Sequence, residues 1–548
     1  MFDPVNFKKN FPLFSQEENR SLIYLDNAAT TQKPQCVIDA IVDFYLHENG
    51  NANRASHRLA RAATAMVEGV RQQAADFLGA ASKSEIVFTT GATAGINLLA
   101  SGLTASLNKD DEVLLSIAEH HANLVPWQVA SKAQNLQLVF CDHELSNIKN
   151  KITDKTKIIS ILAASNALGK KHSLVLFQEI KQQYPNIILI IDASQVVGHG
   201  VINVQDNFCD FLVCSAHKFY GPTGIGLLYG RREQLLKLKP NKFGGEMIKK
   251  VGLYSSSYTD APYVFEAGTS SLAAIAGLGA CITYLIKEDV AAIAKYENQL
   301  TSYLHKKLVK LTNAYSELTL LTTADNNIGI AAMASSQCSM ADIGFWLDEM
   351  DVAVRVGDHC TQPLLESLGL ESILRVSIAA YNTFDDVDNL CKYLEEFLKE
   401  DKNAIKKIKE VMSDDQNYSL VNHTNLLALK SWKERYKKIL MSGKLVTTKE
   451  YLRKDKNLLT GCESKLWINV DKKLSSDDDT IYFFTMDSDS SIVKGLANLI
   501  LCRVNGKSKK QIADINFDLY FDELGLKKYL SESRVSGVHA LLEFVYTC

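Results

Sequence analysis

From residue 22 to residue 238 the chain alternates short apolar runs with longer amphipathic stretches, and few architectures accept that pattern. Runs at 86–89, 112–116, 136–140, 158–162, 187–191, 211–214 and 226–229 read as buried strands, with helical patterns between most of them. A strand that is apolar along its whole length must be covered on both faces, and helices returning between strands make the sheet mostly parallel. The expected class is α/β, with a second, smaller α/β lobe over residues 277–399. The stretch 399–422, KEDKNAIKKIKEVMSDDQNYSLVN, then turns strongly charged and reads as a frayed helix end and a solvated linker. After it come a helical pattern at 425–442, strands near 465–470 and 480–486, and further helices. That is a third module large enough for its own core, as a chain of 548 residues requires.

Bulk properties exclude several classes. A net charge of −3 offers no basic excess for nucleic acid or an anionic membrane, so neither is an expected partner. The apolar run at 187–191 ends at Asp192, far too short to span a bilayer. The opening MFDPVNFKKNFPLF lacks an apolar h-region and a small-residue cleavage site, so no secretory signal is expected. The 11 cysteines form no CxxC pair and no ligand spacing. Scattered thiols of this kind fit a reducing cytoplasm, with neither a disulfide framework nor a metal site.

Four local features converge on one chemistry. SAHK at 215–218 follows the run 211–214, which puts Lys218 at the strand end where α/β folds bind ligands. Enzymes that use pyridoxal 5′-phosphate (PLP) need such an amine, and the glycine-rich GPTGIG at 221–226 lets backbone approach closely. Asp192 ends the run 187–191, where a carboxylate can pair with a protonated pyridine nitrogen; Gln195 follows three residues on. TTGATAGIN at 89–97 is a glycine-containing turn opening a helix, a site for phosphate, with Thr93 adding a hydroxyl. EHHAN at 119–123 offers an imidazole to stack on the ring. Each has a plain structural alternative: a surface lysine, an N-cap aspartate, an ordinary turn, a core histidine.

Taken with YLDNAATTQKP, SNALG, IDASQ, FEAGT and LRVSIAAYNT, these segments resemble the cysteine desulfurases of the class V aminotransferase fold, closest to the SufS branch. The resemblance runs from about residue 7 to 398. It implies a fold type I PLP transferase with a large lobe at about 20–265 and a small lobe completing residues 1–400. It implies Lys218 as the Schiff-base lysine, Asp192 as the pyridine partner, His120 as the stacking ring, and Gln195 and Asn166 on the phenolic oxygen. Ala92, Thr93, Ser215 and His217 would hold the phosphate. Thr269 would reach the phosphate of a neighbouring subunit, implying a homodimer. Arg375, with Asn27 and Arg54, would bind the substrate, L-cysteine.

RVGDHC at 355–360 resembles the persulfide-forming loop of that branch, with Cys360 as the nucleophile. Only a thiolate attacks sulfur, and Arg355 and His359 are cationic or potentially cationic neighbours that would favour it. Three positions depart from the family pattern: Asn53 stands where a histidine often precedes Arg54, Ala94 where glutamate is usual, and Asp358 puts a negative charge beside the thiol. LTGCESKLW at 459–467 resembles the signature of SufE-type sulfur acceptors, supported by SWKERY, SSIVKG and SRVSG. It implies an α+β acceptor domain at 423–548, beyond a linker at 401–422, with Cys462 as the receiving thiol.

The implied activity is desulfuration of L-cysteine to L-alanine, with persulfide sulfur relayed from Cys360 to Cys462 and on to iron–sulfur scaffold proteins. The alternatives are selenocysteine lysis, another PLP lyase or aminotransferase reaction, or a non-catalytic assembly scaffold. Amino transfer leaves Cys360 and the third module without a role.

Overall fold

The computed structural model describes residues 2–52, 56–206, 208–411, 426–429, 432–446, 449–459, 465–474, 479–524, 526 and 532–548. The chain divides into two compact units. The first is Met1–Ala314 with Thr319–Ala334 and Asp351–Cys391; the second is Tyr315–Leu318 with Ser335–Met350 and Lys392–Cys548.

In the first unit, strands Ile86–Thr89, Glu112–Ser116, Gln137–Cys141, Thr156–Leu162, Ile188–Asp192, Phe211–Ser215 and Gly226–Gly230 form one seven-stranded sheet. The strands from Gln137–Cys141 through Phe211–Ser215 pair parallel, while Gly226–Gly230 runs antiparallel to both its neighbours. Side chains alternate across a strand, and here both sets are buried. Leu114, Ile159, Ile161, Leu189, Ile191 and Leu212 join one apolar cluster. Val113, Ile158, Ile190, Phe211 and Val213 join another. Coverage of both faces is why the strands read as continuous apolar runs. Helix Arg58–Leu78 packs on the first face and ends on Gly79 in the left-handed conformation, φ 71°.

A smaller antiparallel sheet follows in the same unit, in the order Thr319–Leu320, Ile330–Ala334, Ile373–Ser377, Arg355–Gly357. Its register sets Arg355 directly opposite Arg375. Like charges so placed repel, and Asp26 answers both. It accepts from Arg375 Nη2 at 2.8 Å and from Arg355 Nε at 3.0 Å.

Helix Phe384–Val411 carries regular structure past residue 401, where the sequence suggests a linker; residues 412–422 lie outside the described ones. In the second unit, strands Leu458–Leu459, Leu466–Leu474, Thr480–Ser488 and Lys507–Ser508 form a sheet in that order. Helices Trp432–Leu445 and Ser491–Val504 pack together, glycine against backbone. A Cβ at Gly443 would strike the Ser491 carbonyl, and one at Gly495 the Ile439 carbonyl. Among the described residues no helix is long and apolar enough to cross a membrane.

Candidate active site

The carboxyl ends of the parallel strands, the turn after Phe211–Ser215 and the small sheet enclose a cavity of about 290 Å³. Ala92, Thr93, His120, Asn166, Asp192, Gln195, Ser215, His217, Lys218, Cys360 and Arg375 all line it, together with Ala28 and Arg355. These positions are spread over the whole first unit, and the sheet brings them together.

Lys218 sits on the helical turn Ala216–Lys218 that leaves strand Phe211–Ser215. Burial holds its amine below the ordinary lysine range, against the opposing pull of Asp192. His120 Nδ1 accepts the Ala122 N–H at 3.0 Å, so a neutral ring carries its proton on Nε2. Burial and then the Lys218 charge push the His120 pKa down to about 4, which keeps that ring neutral. His217 is likewise pushed down to about 4 by burial and Lys218. Helix Ala92–Thr104 opens on the cavity behind Gly91, φ 147°, and the Ala92 N–H donates to Ser215 Oγ at 2.8 Å.

Arg375 is 2% exposed. Its Nη1 donates to the Asn166 carbonyl at 2.9 Å and its Nη2 to Asp26. Asn166 Nδ2 donates to the His359 carbonyl at 2.8 Å, and Gln195 Nε2 to the Ala28 carbonyl at 2.9 Å. Among the described residues, four buried polar atoms on lining residues have no protein partner: Arg375 Nε, Asn166 Oδ1, Ser194 Oγ and His359 Nδ1. Buried polar atoms are nearly always paired, so this cluster marks a place built for a polar ligand.

Cys360 is exposed at the cavity mouth. His359 and Cys360 hold φ 52° and 57°, left-handed values that cost a residue with a Cβ energy. The surroundings hold them there. The His121 N–H donates to the Cys360 carbonyl at 2.8 Å, the Cys360 N–H to Asp358 Oδ1 at 2.9 Å, and the Thr361 hydroxyl to the Asp358 carbonyl at 2.8 Å. The expected cationic His359 is absent: burial and the Arg375 charge push its pKa down to about 3, and it supplies the thiol no positive charge.

Not every expected residue joins the cavity. Asn27 is 3% exposed and turns away, donating to the Ser377 carbonyl at 2.7 Å and accepting from the Tyr381 hydroxyl. Thr269 is exposed and does not line its own chain's cavity. Asn53, Arg54 and Cys462 lie outside the described residues. Two participants escaped the sequence reading. Asp26, beside Asn27 in the motif, is the partner of both arginines. Glu119, 0% exposed beneath His120, accepts from Asn123 Nδ2 at 2.7 Å and from the Leu162 N–H at 3.1 Å. Apart from their place in the motifs, nothing local distinguishes either from an ordinary surface acid.

Residues 23–390 match the family described as "Aminotransferase class-V", and residues 422–547 match SufE, described as "Fe-S metabolism associated domain". A "Probable cysteine desulfurase" of Halalkalibacterium halodurans is 39% identical over 398 residues, 71% of this chain and 96% of that protein. A "Cysteine desulfurase" of Synechococcus elongatus is 40% identical over 397 residues, 71% of this chain and 63% of that protein. The solved structure of a cysteine desulfurase from Thermococcus onnurineus NA1 superposes with a TM-score of 0.68 at 32% identity, covering 73% of this chain and 99% of that one. The chain therefore belongs to the aminotransferase class-V family and continues, beyond it, into a SufE domain.

Proposed function

We propose that this chain is a PLP-dependent cysteine desulfurase that takes sulfur from L-cysteine onto Cys360 and passes it to Cys462 of its own SufE domain for iron–sulfur cluster assembly. The observation that carries the reading is that Lys218, Arg375 and Cys360 line one cavity. A buried amine, a carboxylate clamp and a nucleophilic thiol are together what desulfuration needs, whereas amino transfer has no use for the thiol.

The cavity fits the cofactor. Lys218 would bind it covalently, Asp192 would face its ring nitrogen, and His120 would cover its ring. Asn166, whose Oδ1 lacks a partner, and Gln195 would flank its phenolic oxygen. Ser215, Thr93, His217 and the helix opening at Ala92 would take its phosphate. When bound, PLP supplies an electron sink for cleavage at the substrate's α-carbon.

The protein's own groups do the rest. Arg375 grips the substrate carboxylate with its partnerless Nε and its fork. Lys218, as a free amine, removes the α-proton and returns a proton to the product side. The Cys360 thiolate attacks the substrate sulfur. A Cys360–S bond forms, the S–Cβ bond breaks with its pair staying on carbon, and protonation there yields alanine. Cys462, as thiolate, then attacks the outer sulfur and Cys360 leaves as thiolate. The exposed Thr269 suits a role toward a second subunit, so a homodimer working in the cytoplasm belongs to the proposal.

The test is alanine and sulfide release from L-cysteine by wild type, Cys360→Ala and Cys462→Ala under a mild reductant, without added acceptor. Cys360→Ala is expected to lose turnover by at least about 10²-fold, the scale for losing an essential nucleophile or base. Cys462→Ala is expected to stall as a persulfide on Cys360. Wild-type turnover by Cys462→Ala would remove the relay from this reading; wild-type turnover by Cys360→Ala would overturn the reading itself.

A further inference from the structure

Within the second unit, helix Met340–Asp348 and the stretch 392–400 pack against the SufE residues. Asp342, on that helix, is 1% exposed, and it binds the start of a helix far away in sequence. It accepts from Ser490 Oγ at 2.8 Å, the Ser491 N–H at 3.0 Å and the Ile492 N–H at 3.3 Å. Helix Ser491–Val504 is thus capped at its N-terminus by a carboxylate from outside its own domain, beside its own cap Ser490.

Two further contacts have the same sense of charge. Lys437 pairs with Glu400 at 3.1 Å and lies 5.2 Å from the centre of the Trp346 ring. Lys444 lies 4.9 Å from the centre of the Phe397 ring, where burial lowers its pKa and Asp342, Cys338 and Glu400 oppose that shift. Acids and aromatic faces lie on the 335–400 side; cations and a positive helix end lie on the SufE side.

This contact also leads to strand Leu466–Leu474, which follows Cys462 in sequence. Asp487, 0% exposed, joins Lys494 on the capped helix at 2.9 Å to Arg453 at 2.7 Å. Ser488 pairs in register with Leu466, and its hydroxyl donates to the Lys465 carbonyl at 2.7 Å. Lys465 is the first described residue after Cys462. The residues Asp342 grips therefore follow closely on Ser488, which holds Lys465 and Leu466, the first described residues after Cys462.

We propose that Asp342 is a docking residue. Helix Met340–Asp348 and the 392–400 stretch form a seat for the SufE domain of the same chain, closed by Asp342 on the N-terminus of helix Ser491–Val504. The seat holds the SufE domain against these two elements of the second unit and anchors strand Leu466–Leu474, which follows Cys462 in sequence, a constraint on the thiol that would receive sulfur. That consequence for sulfur transfer rests on the proposed relay, whereas the seat itself is tested without any sulfur chemistry.

The experiment is hydrogen–deuterium exchange on the PLP-loaded full chain, comparing Asp342→Asn, Ser490→Ala and the double variant. Each single variant is expected to speed exchange at Ser491, Ile492 and Val493 about tenfold, the size of a lost helix cap. The double variant is expected to go little further, because both side chains serve one network. Asp342→Glu keeps an acid in the first turn of its own helix while displacing the carboxylate, and is expected to speed the same amides even if Asp342→Asn loosens residues 336–350. Unchanged exchange in both Asp342 variants would overturn the proposal, as would effects that simply multiply. Loss of protection on dilution would assign the seat to a second copy and overturn the same-chain assignment.

Discussion

At the scale of single residues, burial sets the site's protonation. Lys218, His120, His217 and His359 are all driven toward their neutral forms, chiefly by desolvation. Glu119 responds to the same force with the opposite sign: burial pushes its pKa up to about 8, with the nearby Asp192 charge adding to it. The folded carboxyl therefore keeps its proton to higher pH than the unfolded one does. Its stabilising share is complete below about pH 4.5 and is lost as pH rises through about 8. Glu119→Gln removes this titration and keeps an acceptor for the Leu162 N–H. The stability of wild type relative to Glu119→Gln is expected to fall by more than about 1 kcal/mol from pH 5 to pH 8, one pKa unit being about 1.4 kcal/mol. Urea unfolding of both proteins across that range checks it; a pH-independent difference would mean that Glu119 is ionised throughout. None of this was visible in EHHAN, where His120 could be named but the depth of Glu119 could not.

At the scale of elements, the strands were legible because each is apolar along its length, and the boundaries moved by a residue or two. The run read at 187–191 is strand Ile188–Asp192, so Asp192 ends it with its backbone in the sheet. The glycine-rich turn after Lys218 has a specific use. A Cβ on Gly226 would stand 2.6 Å from the Cys214 carbonyl oxygen and 2.6 Å from Gly91 Cα, both main-chain atoms that cannot rotate aside. Gly226 thereby lets the antiparallel strand lie against the turn that opens helix Ala92–Thr104 at the cavity. Gly226→Ala is expected to cost about 1–3 kcal/mol of stability, as overpacking does, and to weaken PLP retention. Melting temperature and cofactor absorbance after dialysis measure the two effects; wild-type values in both would show that the contact is relieved at no cost. The charged stretch after residue 400 combines the composition of a helix end with that of a linker. Its first part continues helix Phe384–Val411, because a charge-rich helix and a solvated linker share one composition.

At the scale of the whole molecule, the acceptor travels with its donor on one chain. Tethering replaces bimolecular encounter with a high effective concentration. The half-time of persulfide transfer from Cys360 to Cys462 is therefore expected to stay constant as protein is diluted about 100-fold, a range over which an untethered pair would slow in proportion. Rapid quench with mass spectrometry of the two thiols measures it, and a half-time that lengthens with dilution would mean that acceptor and donor meet from different molecules. Periodicity in the sequence by itself determined the α/β layer, and resemblance to known motifs, which are local and survive in one dimension, named Lys218, Asp192, His120, Arg375 and Cys360, which line one cavity, and the SufE module. Only the tertiary structure decided which groups share a charge, a cap or a desolvated wall. It paired Asp26 with two arginines, turned Asn27 inward, neutralised His359 and set Asp342 on the start of helix Ser491–Val504. Each of those outcomes depends on distance and burial between residues far apart in sequence, and neither quantity is written in the order of the residues.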